Sequence, residues 1–162
     1  MNISTGIGSQ IDGERRGMRT IDRLFSDSVE QETRRVPLAP GVPLRALAQG
    51  SVCSLNERGE AQPFDPGKPF CGFVIKLLDD GVAKAAIYAR GAVVLRVEGL
   101  EASSLGRPIH ALEPNRFGLD GGAEVGQIIA IENLERGLAV VAFKRADDPR
   151  PFGESGKLVE RF

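Results

Sequence analysis

Cys53, Cys71 and the single histidine, His110, are the side chains whose types first suggest nucleophilic or general-base chemistry at neutral pH. Covalent catalysis needs a nucleophile beside a base, and here the base would be His110 or a carboxylate with a shifted pKa. His110 lies in a run that reads as a β-strand, and neither cysteine sits in a local motif of a thiol enzyme. Two separated cysteines and one histidine do not make a zinc spacing. The acidic pairs Asp79-Asp80 and Asp147-Asp148 could attract a hard cation, but both flank turns, where carboxylates are routinely solvated. The glycines of Gly6-x-Gly8 and Gly121-Gly122 do not link a parallel strand to a long helix, as a phosphate loop requires. The expectation is therefore a non-enzymatic protein with no catalytic residue, no metal and no cofactor.

A chain of 162 residues holds one domain with a core, plus appendages. With 41% hydrophobic and 27% charged residues it has the composition of a folded chain. A net charge of -1 disfavours nucleic acid, whose phosphates call for a basic excess. No apolar run approaches the roughly 20 residues that span a bilayer, and residues 1–10 lack the pattern of a secretory signal. The expected place of synthesis is the cytoplasm, where Cys53 and Cys71 would stay free thiols.

Residues 1–35 read as an N-terminal arm. Glycines interrupt a polar stretch in which Arg15, Arg16, Arg19, Arg23, Arg34 and Arg35 are balanced by Asp12, Glu14, Asp22, Asp27, Glu30 and Glu32. Thr20 could cap a short helix carrying an apolar stripe of Ile21, Leu24, Phe25 and Val29. That stripe either packs on its own domain or docks on a partner.

From Val36 onward, short runs rich in Val, Ile and Leu alternate with Gly, Pro, Asn and Asp, the punctuation of strands and turns. Candidate strands cover residues 44–48, 51–55, 70–78, 82–90, 92–98, 108–112, 126–132 and 138–144. Asp79-Asp80-Gly81 and Glu135-Arg136-Gly137 suit hairpin turns. In 92–98, Val93, Leu95 and Val97 fall on a dry face, with Arg96 and Glu98 on a wet one; Phe73, Ile75 and Leu77 oppose Lys76 in the same manner. The fold class is all-β: a compact barrel over residues 36–146, with 147–162 as a C-terminal tail. In the tail, Leu158, Val159 and Phe162 either stay exposed or pack on a neighbouring subunit.

The barrel contains a weak repeat. Residues 50–74 and 106–129 each read as a strand introduced by Gly, a tight turn, a short strand, a Gly-containing loop, and an apolar strand with Gly72 or Gly126 near its start. A duplicated β unit explains this order, with Gly72 and Gly126 at bulges or close backbone approaches.

In this order of features, with the strand of residues 91–99 between the two copies, the chain resembles the phage capsid decoration, or cement, proteins: small head proteins with a β-tulip or β-clip-like core. The resemblance implies a bacteriophage structural protein of the virion, commonly a homotrimer. It would bind the major capsid protein on the outer shell and bridge capsomers through its N-terminal arm, without nucleic acid or membrane as partners. Capsid-contact candidates in the arm are Arg15, Arg16, Arg19, Arg23, Leu24 and Phe25, chosen because arginine and apolar anchors are enriched at interfaces. The arm would either add a strand or dock a helix. An alternative is a β-barrel binding module for a carbohydrate or small ligand, although the chain has no Trp and only Tyr88 to stack on a sugar. A hydrolase built on Cys or Ser ranks last.

Overall fold

The computed structural model describes residues 23–24 and 31–152. It is all-β: β1 (Arg23–Leu24), β2 (Glu32–Pro37), β3 (Val52–Leu55), β4 (Ala61–Pro63), β5 (Phe70–Asp79), β6 (Ala83–Arg96), β7 (Pro108–Glu113), β8 (Arg116–Gly118), β9 (Ala123–Asn133) and β10 (Leu138–Lys144). The main path runs β4-β3-β5-β6-β10-β9-β7-β8, and β1 and β2 pair with β6 off this path.

β6 organises the molecule. Its first part, to Arg90, pairs with β5 and with β2; its second, from Arg90, pairs with β10 and with β1. The strands expected at 82–90 and 92–98 are thus one continuous strand. Gly91, at φ +155°, lies where the β5 and β2 pairings give way to those of β10 and β1.

The repeat is present down to its irregularities. Ser54↔Gln62 and Leu55↔Ala61 in β3/β4 recur as His110↔Gly118 and Ala111↔Phe117 in β7/β8. Cys53 pairs with Gly72 and Ser54 with Phe70, skipping Cys71; Ile109 pairs with Gly126 and His110 with Glu124, skipping Val125. Ile75 is skipped in β5/β6 as Ile129 is in β9/β10. A Cβ on Gly72 would lie 2.5 Å from the Tyr88 oxygen, and one on Gly126 2.0 Å from the Ala142 oxygen. Both glycines therefore stand where backbones approach closely, as expected.

Each copy also closes on itself. Leu38 bridges Ala61 in parallel, and Val97 bridges Phe117 likewise. The first unit is the ring β2-β6-β5-β3-β4 and the second is β6-β10-β9-β7-β8, with β6 shared. Each has its own core. Val36, Leu38, Cys53, Leu55, Cys71, Val74 and Ile87 fill the first; Leu95, Val97, Ile109, Ala111, Val125, Ile128 and Val141 take the equivalent places in the second.

The copies differ where they meet. Phe70 and Phe73 of β5 reach into the second core, where Phe73 meets Phe143 edge-on at 4.9 Å between centroids and Phe117 at 6.2 Å. Their equivalents in β9 are Glu124, which is exposed, and Gln127, which donates to the Gly106 carbonyl. Edge-on aromatic pairs add about 0.5–1.5 kcal/mol each beyond area burial.

Several local expectations are corrected. Residues 44–46 form a 3-10 turn instead of a strand, because Ala46 and Leu47 donate to the Pro43 and Leu44 carbonyls three residues back, and Leu47 is the residue that reaches the core. Ile75 does not continue the face of Phe73, since the bulge there breaks the alternation. The wet face expected for 92–98 is dry at Ala92 and Val94, both 0% exposed; only Arg96 and Glu98 are exposed. Residues 23–24 of the expected helix are strand, and most of the rest of that stretch lies outside the described residues. Glu32–Pro37, partly inside the stretch read as arm, is a sheet strand. Both hairpin turns form as expected, Gly81 and Gly137 taking φ +109° and +72°.

Candidate functional site

Among the described residues, a dense set of ionisable side chains gathers where β2, β6 and the end of β10 meet. Beyond β10 the chain is held down by Arg145 N–H donating to the Ala89 carbonyl at 2.8 Å and Ala146 N–H to that of Phe70 at 3.0 Å. A turn at Asp148, whose N–H donates to the Arg145 carbonyl, then directs Arg150 back across the sheet. Arg150 donates Nη1 and Nη2 to the two oxygens of Glu32, both at 3.0 Å, and also grips Asp148 at 2.8 and 3.0 Å. From below, Arg90 donates to Asp148 at 3.3 Å and to the Pro151 carbonyl at 2.6 Å. Lys144 donates to the Arg150 carbonyl. Arg145 holds Asp147 through two bonds of 2.7 and 2.8 Å.

Glu32, Arg145, Asp147, Asp148 and Arg150, with Arg34, Ala89 and Pro149, line a cavity of about 360 Å³. Its electrostatics follow from the pairing. Hydrogen bonds from Arg150 hold the Asp148 carboxyl far below the usual carboxylate range and lower that of Glu32; Arg145 does the same for Asp147. All three carboxylates are therefore anions at neutral pH, poor as acids and poor as bases. In turn, Asp148 and Glu32 raise the Arg150 guanidinium above its ordinary value. The arrangement is a clasp that ties β2 and the residues after β10 to β6. Asp148, with 10% of its side chain exposed, is accordingly not the solvated turn carboxylate expected from its neighbourhood, because Arg90 and Arg150 bond it; Asp147, 54% exposed, is solvated as expected while Arg145 bonds it.

The remaining candidates are dispersed. Cys53 and Cys71 are free thiols at 0% exposure in the first core. The Cys71 thiol and burial push the Cys53 thiol well up, so it remains protonated and a weak nucleophile. Its Sγ donates to the Gly72 carbonyl at 3.6 Å. His110 is half-buried in β7 of the second unit, and its Nδ1 is buried without a hydrogen-bond partner. It takes the place of Ser54, whose hydroxyl bonds the Asp65 backbone and fixes the β4–β5 loop. Asp79 and Asp80 are exposed at the β5–β6 hairpin. Among the described residues, no group of three or more His, Cys, Asp and Glu side chains is placed to hold a metal ion, and no helix is long and apolar enough to cross a membrane.

Of the capsid-contact candidates, Arg15, Arg16, Arg19 and Phe25 lie outside the described residues. Arg23 and Leu24 form β1, opposite Val94 and Val93 of β6. Sequence reasoning took Glu32 as an arm charge and Asp148 as a turn carboxylate, and missed Arg90, Arg150 and the pairing of all four. Glu32 and Arg150 are separated by 118 positions, and no local pattern links them.

No family model, curated protein or solved structure matches this chain.

Proposed function

We propose that this chain is a phage capsid decoration protein: a non-enzymatic structural protein that binds the outer surface of the shell, contacts the major capsid protein, bridges capsomers and acts in the virion as a homotrimer. The observation that carries this reading is how the N-terminal stretch engages the domain. β1 and β2 both add to β6 as antiparallel strands, and strand addition is a general way for an extended arm to bind a sheet. Pairing of β1 and β2 within their own sheet supports strand addition over helix docking as the arm's way of binding a capsid subunit. Two rings fused through β6, each with its own core, give the arm a folded domain to reach from. Three arms on one trimer would bind by avidity, without a tight contact from any one of them.

The test is cosedimentation with capsid shells of the full chain and of a chain lacking residues 1–22, which keeps β1, β2 and the clasp. Binding by the full chain and much weaker binding by the shortened one is the expected result. Failure of both to bind shells would remove the capsid reading.

The cavity beside the clasp is the observation that favours a second reading, a binding module for a small ligand. Its volume falls in the range of small-molecule sites, although its charged lining is already paired within the chain. A shift in melting temperature with a sugar or small acid, abolished by Arg34→Ala, would favour that reading.

A further inference from the structure

The two units differ most on the faces of their sheets turned away from the ring cores. In the second unit this face carries Ala92, Val94, Leu138 and Val140, with Ile129 and Ala130 packed beside them. The first four are at most 2% exposed. The register places Thr33, Arg35, Lys84 and Ala86 at the equivalent positions of the first unit, with Ile75 and Lys76 alongside. There Thr33, Arg35 and Lys76 are exposed. One copy thus presents an ordinary wet face, and the other an apolar face closed to water.

The strands bearing this apolar face lie in its plane and cannot roof it, and no other described hydrophobic residue joins the cluster. The path of the chain points to the roof. Leu24 is paired opposite Val93, and Gln31 donates from Nε2 to the Ala92 carbonyl at 3.0 Å. Adjacent strand residues are only about 3.3 Å apart along the axis. The chain is therefore on β6 at Leu24 and again at Gln31, at almost the same point and beside the apolar face. Leu24, opposite Val93, takes the face of the second core, so the apolar residues of this stretch left for the other face are Ile21, Phe25 and Val29.

We infer that residues 21–29 of the same chain are the cover of this face, an interaction site that the second unit has and the first lacks. The arm is then divided. Its second half is a strap bound to its own domain, and residues 1–19, with Arg15, Arg16 and Arg19, are the part left to reach a partner. The inference does not depend on what that partner is.

The test is amide hydrogen exchange on the full chain without any shell, comparing wild type with Val140→Asp and with the double substitution Phe25→Asp, Val29→Asp. In wild type, amides in residues 21–29 should exchange at least about tenfold more slowly than those of residues 1–15. Either variant should remove that protection, while amides of β3, β5, β7 and β9 keep theirs. The double substitution leaves both rings untouched, and so serves if Val140→Asp does not fold. Exchange in residues 21–29 as fast as in 1–15 overturns the proposal. So does protection that disappears on dilution, since the cover would then come from a second copy, and so does protection found in residues 153–162 instead.

Discussion

Arg150 and Glu32 face each other in a parallel fork, two N–O contacts of 3.0 Å, and so join the residues after the last strand to the beginning of β2. Between them they close the chain over β6. Paired forks of this kind have charge-assisted bonds and a fixed geometry, which gives the junction direction as well as energy. Asp148, with only 10% of its side chain exposed, ties the same arginine to Arg90.

The clasp should make stability depend on acid pH. Asp148, Glu32 and Asp147 titrate lower in the folded chain than unfolded. Their contribution is therefore complete above the unfolded carboxylate pKa of about 4 and is lost as pH falls through the folded values. Urea unfolding at a series of pH values should show stability falling from about pH 5 downward. Asp148→Asn should cost about 1–3 kcal/mol at pH 7 and flatten that fall. An unchanged acid limb in the variant would refute the assignment.

Glycine substitutions should rank by backbone approach. Gly126→Ala places a Cβ 2.0 Å from the Ala142 oxygen and should cost about 3 kcal/mol or more, or prevent folding. Gly41, at φ +82° with nothing within 4 Å of a Cβ, bears only conformational strain, about 1 kcal/mol for Ala. Melting temperatures of the two variants check the order.

The aromatic contact between the rings should be the costliest core deletion. Phe73 is fully buried and touches Phe70, Phe117 and Phe143. Phe73→Ala is expected to lose about 3–5 kcal/mol in denaturant unfolding. A loss below 1 kcal/mol would mean that the two units are not held together through this residue.

The thiols should behave as packing groups. Cys71 stands where the second unit has Val125. Cys71→Val should therefore change stability by less than about 1.5 kcal/mol. In the native protein a thiol reagent should label neither Cys53 nor Cys71 within the time that labels both in denaturant. Rapid native labelling would contradict the burial that protects them.

Much of the fold is legible in the residues. Alternating apolar runs and glycine-bearing turns mark most of the strands, and the matching order of features in residues 50–74 and 106–129 marks the duplication. Even the need for glycine at Gly72 and Gly126 can be read there, because a glycine inside an apolar strand signals a close approach. Strand continuity cannot be read. Gly91 punctuates the sequence like a turn, yet its neighbours pair along one strand, and only the partners available on each side, β5 and β2 before it and β10 and β1 after it, decide this.

Local sequence by itself determined the all-β class, the repeat, the hairpins and the scarcity of groups that could act as nucleophile or base. Those properties rest on side-chain periodicity and turn chemistry, which act over a few residues. Tertiary structure alone decided that each repeat closes through a parallel bridge, that Ala92 and Val94 lie on a covered face, and that Glu32 and Arg150 meet. Each of these depends on contacts between residues far apart in the chain, and such contacts are selected by the burial and pairing of the whole sheet rather than by any neighbour in sequence.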